Sequence, residues 1–179
     1  VGKVAPNLLN REFKATKPNQ KWVTDITEFS IQGQKLYLSP ILDLYNSEII
    51  SYSIAKHPRY AQVDEMLTLA MRKRPTETSL MLHSDQGWQY QMKRYQNTLN
   101  VNGITQSMSR KGNCLDNAVM ENFFGILKSE LLYTKQFNSI EEFIQELHEY
   151  IDYYNHIRIK AKLKGMSPVQ YRTHSHDVA

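Results

Sequence analysis

The sequence predicts an α/β domain, a mixed β-sheet flanked by helices in the order β-β-β-α-β-α-β-α-α. Three observations carry this. β-rich stretches with short polar turns fill residues 21–55, the apolar period then changes from about two to 3.6, and strand and helix signals alternate from there to residue 107 before two helices in succession. With 179 residues, 41% hydrophobic and 22% charged, the chain is long enough to bury one full core.

Residues 1–20, with Pro6, Asn7, Asn10, Pro18 and Asn19, read as an extended arm or linker. Strands are expected at about 21–31, 35–44 and 47–55, joined at Gln32-Gly33-Gln34 and Tyr45-Asn46 as an antiparallel meander. Pro40 would break a regular middle strand, so a bulge is expected there. Val63, Met66, Leu67 and Ala70 form a helical stripe over 60–74, closed by Arg72, Lys73 and Arg74 and stopped by Pro75. A buried strand at 79–84, a helix near 89–101 and a short strand at 104–107 follow, then a polar loop at 108–116.

A helix is expected from 117 to 132, with Asp116 as its N-cap. Ser139 and Glu142 match a capping box opening the last helix, whose stripe is Ile140, Phe143, Ile144, Leu147 and Ile151. This divides the chain into an arm at 1–20, a core at 21–155 and a basic C-terminal extension at 156–179. The end, His174-Ser175-His176, reads as a disordered terminus rather than a metal site.

No apolar run approaches the ~18 residues needed to span a bilayer, and no secretory signal opens the chain. The start at Val1-Gly2-Lys3, without Met, suggests a piece of a longer protein. A lone cysteine, Cys114, precludes an internal disulfide and fits a reducing cytoplasm. The net charge of +4 is unevenly spread. Residues 1–24 and 156–173 are basic, and they flank an acidic helix at 139–152. Basic ends of this kind favour a polyanionic partner such as DNA.

The stretch "LMLHSDQGWQY" ends a buried strand on a carboxylate, Asp85. A second acid, Asp25, lies within the first predicted strand among core-like neighbours, where an isolated carboxylate is costly. A third, Glu121, sits one turn inside the predicted helix that Asp116 opens. Lys128 follows seven residues later and therefore shares its face. Carboxylates from separate elements suit hard divalent cations, which take oxygen ligands. Two such ions, ~3.5–4 Å apart, serve phosphodiester displacement. Of the remaining residues, Asp43 reads as a turn residue and His83 as a satisfied strand-end histidine. Trp88 and Tyr90 suit base stacking and core packing equally.

The spacings are 59 residues between the aspartates and 35 between Asp85 and Glu121. Together with the words "WVTDIT", "HSDQGWQY", "DNAVMENFFGILKSE" and "GMSPVQYR", they resemble the insertion-sequence-three transposases, whose catalytic domain is encoded by the second reading frame. These share a retroviral-integrase-like core. The resemblance covers residues 18 to 173 and implies a ribonuclease-H-like fold, with Asp25, Asp85 and Glu121 as catalytic metal ligands for two Mg²⁺, replaceable by Mn²⁺. It further implies DNA cleavage at element ends, strand transfer by a 3′-hydroxyl, and a homo-oligomeric active complex in the bacterial cytoplasm, associated with the nucleoid when DNA is bound. A helix-turn-helix region outside this chain would recognise the element ends.

Expected DNA contacts are Lys128 near the scissile bond, Arg110 and Lys111 in the preceding loop, and Arg158, Lys160, Lys162 and Lys164 in the basic extension. Many relatives carry His or Gln where Lys160 stands and Gly where Lys164 stands. On the residues alone two other readings stay open: a nuclease without strand transfer, and a non-catalytic DNA-binding or assembly fragment of a decayed element.

Overall fold

The computed structural model describes residues 2–75 and 78–178, with side chains described as far as His174. Six strands form one mixed sheet: β1 (Lys21–Thr24), β2 (Thr27–Ile31), β3 (Gln34–Asp43), β4 (Ile49–Ala55), β5 (Leu80–Ser84) and β6 (Ile104–Met108). β1 and β2 lie end to end along one edge of β3 in a single antiparallel register, with Trp22 opposite Asp43 and Phe29 opposite Leu36. β4 pairs with β3 as well, while β5 and β6 extend the sheet from β1 as parallel strands.

The expected strand at 21–31 is therefore two strands. Pairing lapses at Asp25 and Ile26, which the common register sets opposite Pro40 and Ser39. Proline has no N–H to donate, so the ladder is weakest there. The bulge anticipated at Pro40 lies one step on, between Ile41 and Leu42 in the pairing with β4. Asp25 is left outside the ladder, at the end of β1.

Helices cover both faces. On one face, α1 (Tyr60–Lys73) and α2 (Lys93–Val101) pack over Trp22, Ile41, Leu80, Leu82 and Ile104. The predicted stripe Val63, Met66, Leu67 and Ala70 is buried there. On the other face, α3 (Ala118–Leu127) and α4 (Ile140–His156) pack over Val23, Phe29, Leu36, Leu38 and Leu42. Ser139 caps α4 by accepting from Glu142 N at 3.1 Å, and Glu142 returns a carboxylate to Asn138 N at 2.8 Å. None of the described helices is long and apolar enough to cross a membrane.

Two predicted helices are subdivided. Near 89–101 a 3₁₀ turn, Trp88–Gln91, precedes α2. The helix expected over 117–132 ends as α3 at Leu127 and continues as one π-helical turn, Lys128–Leu132. That wider turn keeps Leu131 buried while Glu130 accepts hydrogen bonds from Arg158 and from the Tyr150 hydroxyl.

Both ends of the chain pack on this body. Met108 N donates to Pro6 O, the Leu8 and Leu9 amides donate to Ser107 Oγ, and Leu9 is 1% exposed in the α3-side core. A final helix, α5 (Pro168–Val178), lies within the basic extension. Asn46 holds its first residue through Pro168 O, and Glu48 accepts from Arg172 at 2.8 Å. The α5 backbone is helical through the His174-Ser175-His176 stretch, where a disordered terminus was the expectation. The side chains of Ser175 and His176 lie outside the described residues.

Because Leu9 is buried from an arm with no regular structure, Leu9→Ala should destabilise the whole domain by about 2–4 kcal/mol in urea unfolding. A change below about 0.5 kcal/mol would put the arm outside the cooperative unit.

Candidate active site: an acidic cleft

Pairing between β1 and β5 matches each β1 residue with the one 60 positions later, Lys21 with Met81, Trp22 with Leu82 and Val23 with His83. Continued by two residues, the same offset aligns Asp25 with Asp85 just past the end of the ladder. Side chains alternate along a strand, so both aspartates share the face of Val23 and Met81, which pack into the core under α3. Glu121 stands exposed in the first turn of α3. The three acids line one cleft of about 470 Å³, with Gln86, Asn117 and the 109–114 loop around them. A larger groove of about 650 Å³ runs past β4 between α1 and α4, and its lining contains none of the three.

The acids repel one another. Burial first, then Asp85 and more weakly Glu121, push the Asp25 carboxyl up to about 7, against the opposing hydrogen bonds from Ile26 and Asn117. Its Oδ1 accepts from Ile26 N at 2.8 Å and its Oδ2 from Asn117 Nδ2 at 2.7 Å. Asp85 Oδ1 accepts from Gly87 N at 2.7 Å, and a Cβ on Gly87 would come within 2.9 Å of that oxygen. Glycine is what lets the backbone approach so closely.

Among the described residues, no three acidic, histidine or cysteine side chains form a ready-made metal cage. The donor set still fits a hard divalent ion, since it is built of carboxylate oxygens and carries excess negative charge, and Asn117, whose Oδ1 is buried without a partner, lines the same cleft.

Behind the cleft a buried relay ties the arm to α3. The Ser107 hydroxyl accepts from the Leu8 and Leu9 amides, so its own proton goes to His83 Nδ1 at 2.8 Å. His83 Nε2 then carries the ring proton and donates to Asp116 O at 3.0 Å. Burial holds the histidine pKa below its ordinary value, which keeps it neutral and fully hydrogen-bonded.

Asp116 does not cap α3 with its side chain; that N-cap position belongs to Asn117. Its buried carboxylate instead gathers Arg110 through the amide and guanidinium, Arg11 at 2.8 Å and Asn7 at 3.3 Å. The Arg110 hydrogen bonds, together with Arg11, hold it well below the usual carboxylate range.

The basic residues divide by their surroundings. Lys111 is exposed and lines the cleft. Arg110 lines it too, with its guanidinium bound to Asp116. The Lys128 ammonium lies over the Phe29 ring, 5.7 Å from its centroid, and is absent from the cleft lining. Arg158 makes a two-pronged ion pair with Glu130. Lys160 is half-buried against the Tyr154 ring, and burial, reinforced by Lys162 and Arg158, lowers it to about 8. Lys162 and Lys164 are exposed, on a turn apart from the cleft lining.

Trp88 is 54% exposed, while Tyr90 is a core residue packed edge-on against Tyr95. Asp43 is the expected turn residue, accepting from Asn19 N and Tyr45 N. Sequence reasoning missed Asn117, although its place four residues before Glu121 puts it one helical turn away on the same side.

The integrase core domain family matches residues 15–114, and a second integrase core domain family matches residues 121–175. An uncharacterized transposase-like protein of Haemophilus influenzae is 58% identical over 98% of this chain and 81% of its own length. The InsK protein of insertion sequence element IS150 from Escherichia coli K12 is 57% identical over 98% of this chain, which spans 62% of that relative. Transposase InsF of insertion sequence IS3A, also from Escherichia coli K12, is 35% identical over 94% of this chain and 59% of its own length.

Among solved structures, the simian T-cell lymphotropic virus intasome with PP2A regulatory subunit B56 gamma matches with a TM-score of 0.75 at 19% identity, over 96% of this chain and 59% of that one. The HTLV-2 integrase catalytic core domain with magnesium matches at 0.69 and 17% identity, over 88% of this chain and 99% of that one. These likenesses show the expected ribonuclease-H-like fold.

The raised Asp25 carboxyl has a consequence for stability. Its folded pKa of about 7 exceeds the unfolded 3.8, so between those values the folded state binds more protons and stability falls as pH rises. Thermal melting of the metal-free protein should lose about 2–3 kcal/mol between pH 5 and 8 from this group, and Asp25→Asn should flatten the slope. Asp43, raised by burial to about 6, leaves a smaller slope of the same sign. Parallel slopes in the two proteins would contradict the assignment.

Proposed function

The chain belongs to the integrase core family, as the catalytic domain of an insertion-sequence-three-type transposase, and on that basis we propose that its acidic cleft cuts and joins DNA phosphodiesters. What carries the reading is the convergence of Asp25, Asp85 and Glu121 from two adjacent parallel strands and a facing helix on one open cleft. In open α/β sheets, ligands characteristically bind beyond the carboxyl ends of the strands, which is where these aspartates lie.

Asp25, Asp85 and Glu121 are the proposed ligands for two Mg²⁺, with Mn²⁺ able to substitute. Bound there, such ions would polarise the scissile phosphate, raise the nucleophilicity of the attacking oxygen and stabilise the leaving one. The protein's own contribution is placement: the β1–β5 register sets the two aspartates, the Asp116 and His83 contacts set the start of α3, and Gly87 leaves room for Asp85. In cleavage, a water oxygen bonds to phosphorus, the P–O3′ bond breaks, and the departing 3′-oxygen takes a proton. In strand transfer, the freed 3′-hydroxyl of the element replaces water and displaces a 3′-oxygen of the target.

Lys111, at the cleft rim, is the best-placed phosphate contact, and Lys162 and Lys164 lie on a separate exposed turn. Arg110, Arg158 and Lys160 hold internal partners first, so their first role is to shape the loops around the cleft. Lys128 would have to leave Phe29 to reach a terminal base. Recognition of element ends is assigned to a region outside this chain, and the active complex to a homo-oligomer on DNA in the bacterial cytoplasm.

Asp25→Asn, Asp85→Asn and Glu121→Gln should each lower metal-dependent cleavage of labelled element-end DNA by on the order of 10³ or more, with the fold intact by circular dichroism. The native-length protein with MgCl₂ or MnCl₂ should also yield strand-transfer products. Hydrolysis without joined products would reduce the reading to a nuclease. Near-normal cleavage by one variant would remove that residue from the site.

A further inference from the structure

Asn117 opens α3 at its N-cap position, and asparagine there ordinarily turns its side-chain oxygen back to a helix N–H. It does not do so here: no side-chain capping bond forms. The amide nitrogen instead faces Asp25, and the residue lines the acidic cleft. Nδ2 donates to Asp25 Oδ2 at 2.7 Å, while Oδ1 is buried without a partner in a residue 8% exposed. Among the described residues, the other buried unpartnered side-chain atoms belong to Trp22, Tyr60, Gln62, Tyr90 and Tyr95, and none of these residues lines the acidic cleft.

A buried acceptor left unpaired is unfavourable, and giving up a helix cap adds to that cost. Both are explained if the oxygen has a partner whenever the cleft is loaded. Water on a divalent cation points its hydrogens outward and needs acceptors, which a neutral amide oxygen supplies without adding charge to three crowded carboxylates.

We propose that Asn117 serves the cation site with both ends of its amide, Nδ2 orienting Asp25 and Oδ1 accepting a hydrogen bond from a water carried by the cation. This rests on the reading of the cleft as a divalent-cation site. It makes Asn117 a determinant of metal affinity beyond the three acids.

The test is calorimetric titration of the purified protein with MnCl₂, with metal-free thermal melting recorded alongside. Asn117→Leu removes both polar ends and should weaken Mn²⁺ binding 10- to 100-fold, the usual range for lost outer-sphere partners. Asn117→Ser, too short to reach, should weaken it similarly and serves if the leucine variant does not fold. Asn117→Asp keeps an oxygen and loses the donor to Asp25, so affinity should fall by clearly less than in the leucine variant.

Equal weakening in the Leu and Asp variants would overturn the role of Oδ1 and leave only the clamp on Asp25. Unchanged affinity in Leu and Ser, with lowered melting temperatures, would overturn the proposal and make Asn117 structural. Asp25→Asn separates the two levels. If wild type binds Mn²⁺ no better than that variant, the reading of the cleft itself fails; if Asp25→Asn abolishes binding and Asn117→Leu does not alter it, only the role of Asn117 fails.

Discussion

Everything at the acidic cleft depends on the parallel pairing of β1 with β5, and that pairing is held by burial on both faces of a very short strand. Trp22 goes into the α1-side core and Val23 into the α3-side core, each almost fully buried. A slip of one residue would exchange their faces and turn Asp25 away from α3. Two apolar cores thus specify where two carboxylates stand, on one cleft at the ends of adjacent strands. The third acid arrives by the same means, because Met120, Phe123 and Leu127 pack α3 onto that core while Glu121 stays at its exposed edge.

The polar contacts around the cleft oppose the repulsion that this arrangement creates. Ile26 N and Asn117 Nδ2 occupy Asp25, and Gly87 N occupies one oxygen of Asp85. These bonds are short and local, and they keep the carboxylates in place without neutralising them. Farther back, Asp116 and His83 join the arm to the first residues of α3 through separate atoms: the carboxylate takes Arg11 and Asn7, while the backbone carbonyl takes the imidazole. A segment that precedes β1 in sequence therefore braces the helix bearing Glu121.

Much of the site was legible in the sequence because its logic is local. A strand ending on Asp85, a buried-strand Asp25 and a helix-borne Glu121 stand out against the apolar pattern around them, and the structure brings all three to one cleft. The interruption at Asp25 was not legible, since it depends on Pro40 across the sheet rather than on β1 itself. Charge identity likewise says nothing of long-range partners. Arg158 and Arg110 look like phosphate binders in sequence, yet Glu130 and Asp116 meet them in space, and Lys160 lies against Tyr154. The arm, polar and proline-bearing, conceals one deeply buried leucine. Such features come from tertiary pairing, which a period of two or 3.6 cannot report.

Strand register places Asp25 and Asp85, and the packing of α3 places Glu121, on the one cleft proposed to hold the cations. The most direct measurement is a crystal of the protein soaked in MnCl₂ and recorded at the manganese absorption edge. An anomalous peak is expected within coordination distance of both Asp25 and Asp85, with Glu121 drawn toward the same density. Manganese bound elsewhere while the cleft stays without anomalous density, at a concentration that supports DNA cleavage, would contradict that placement.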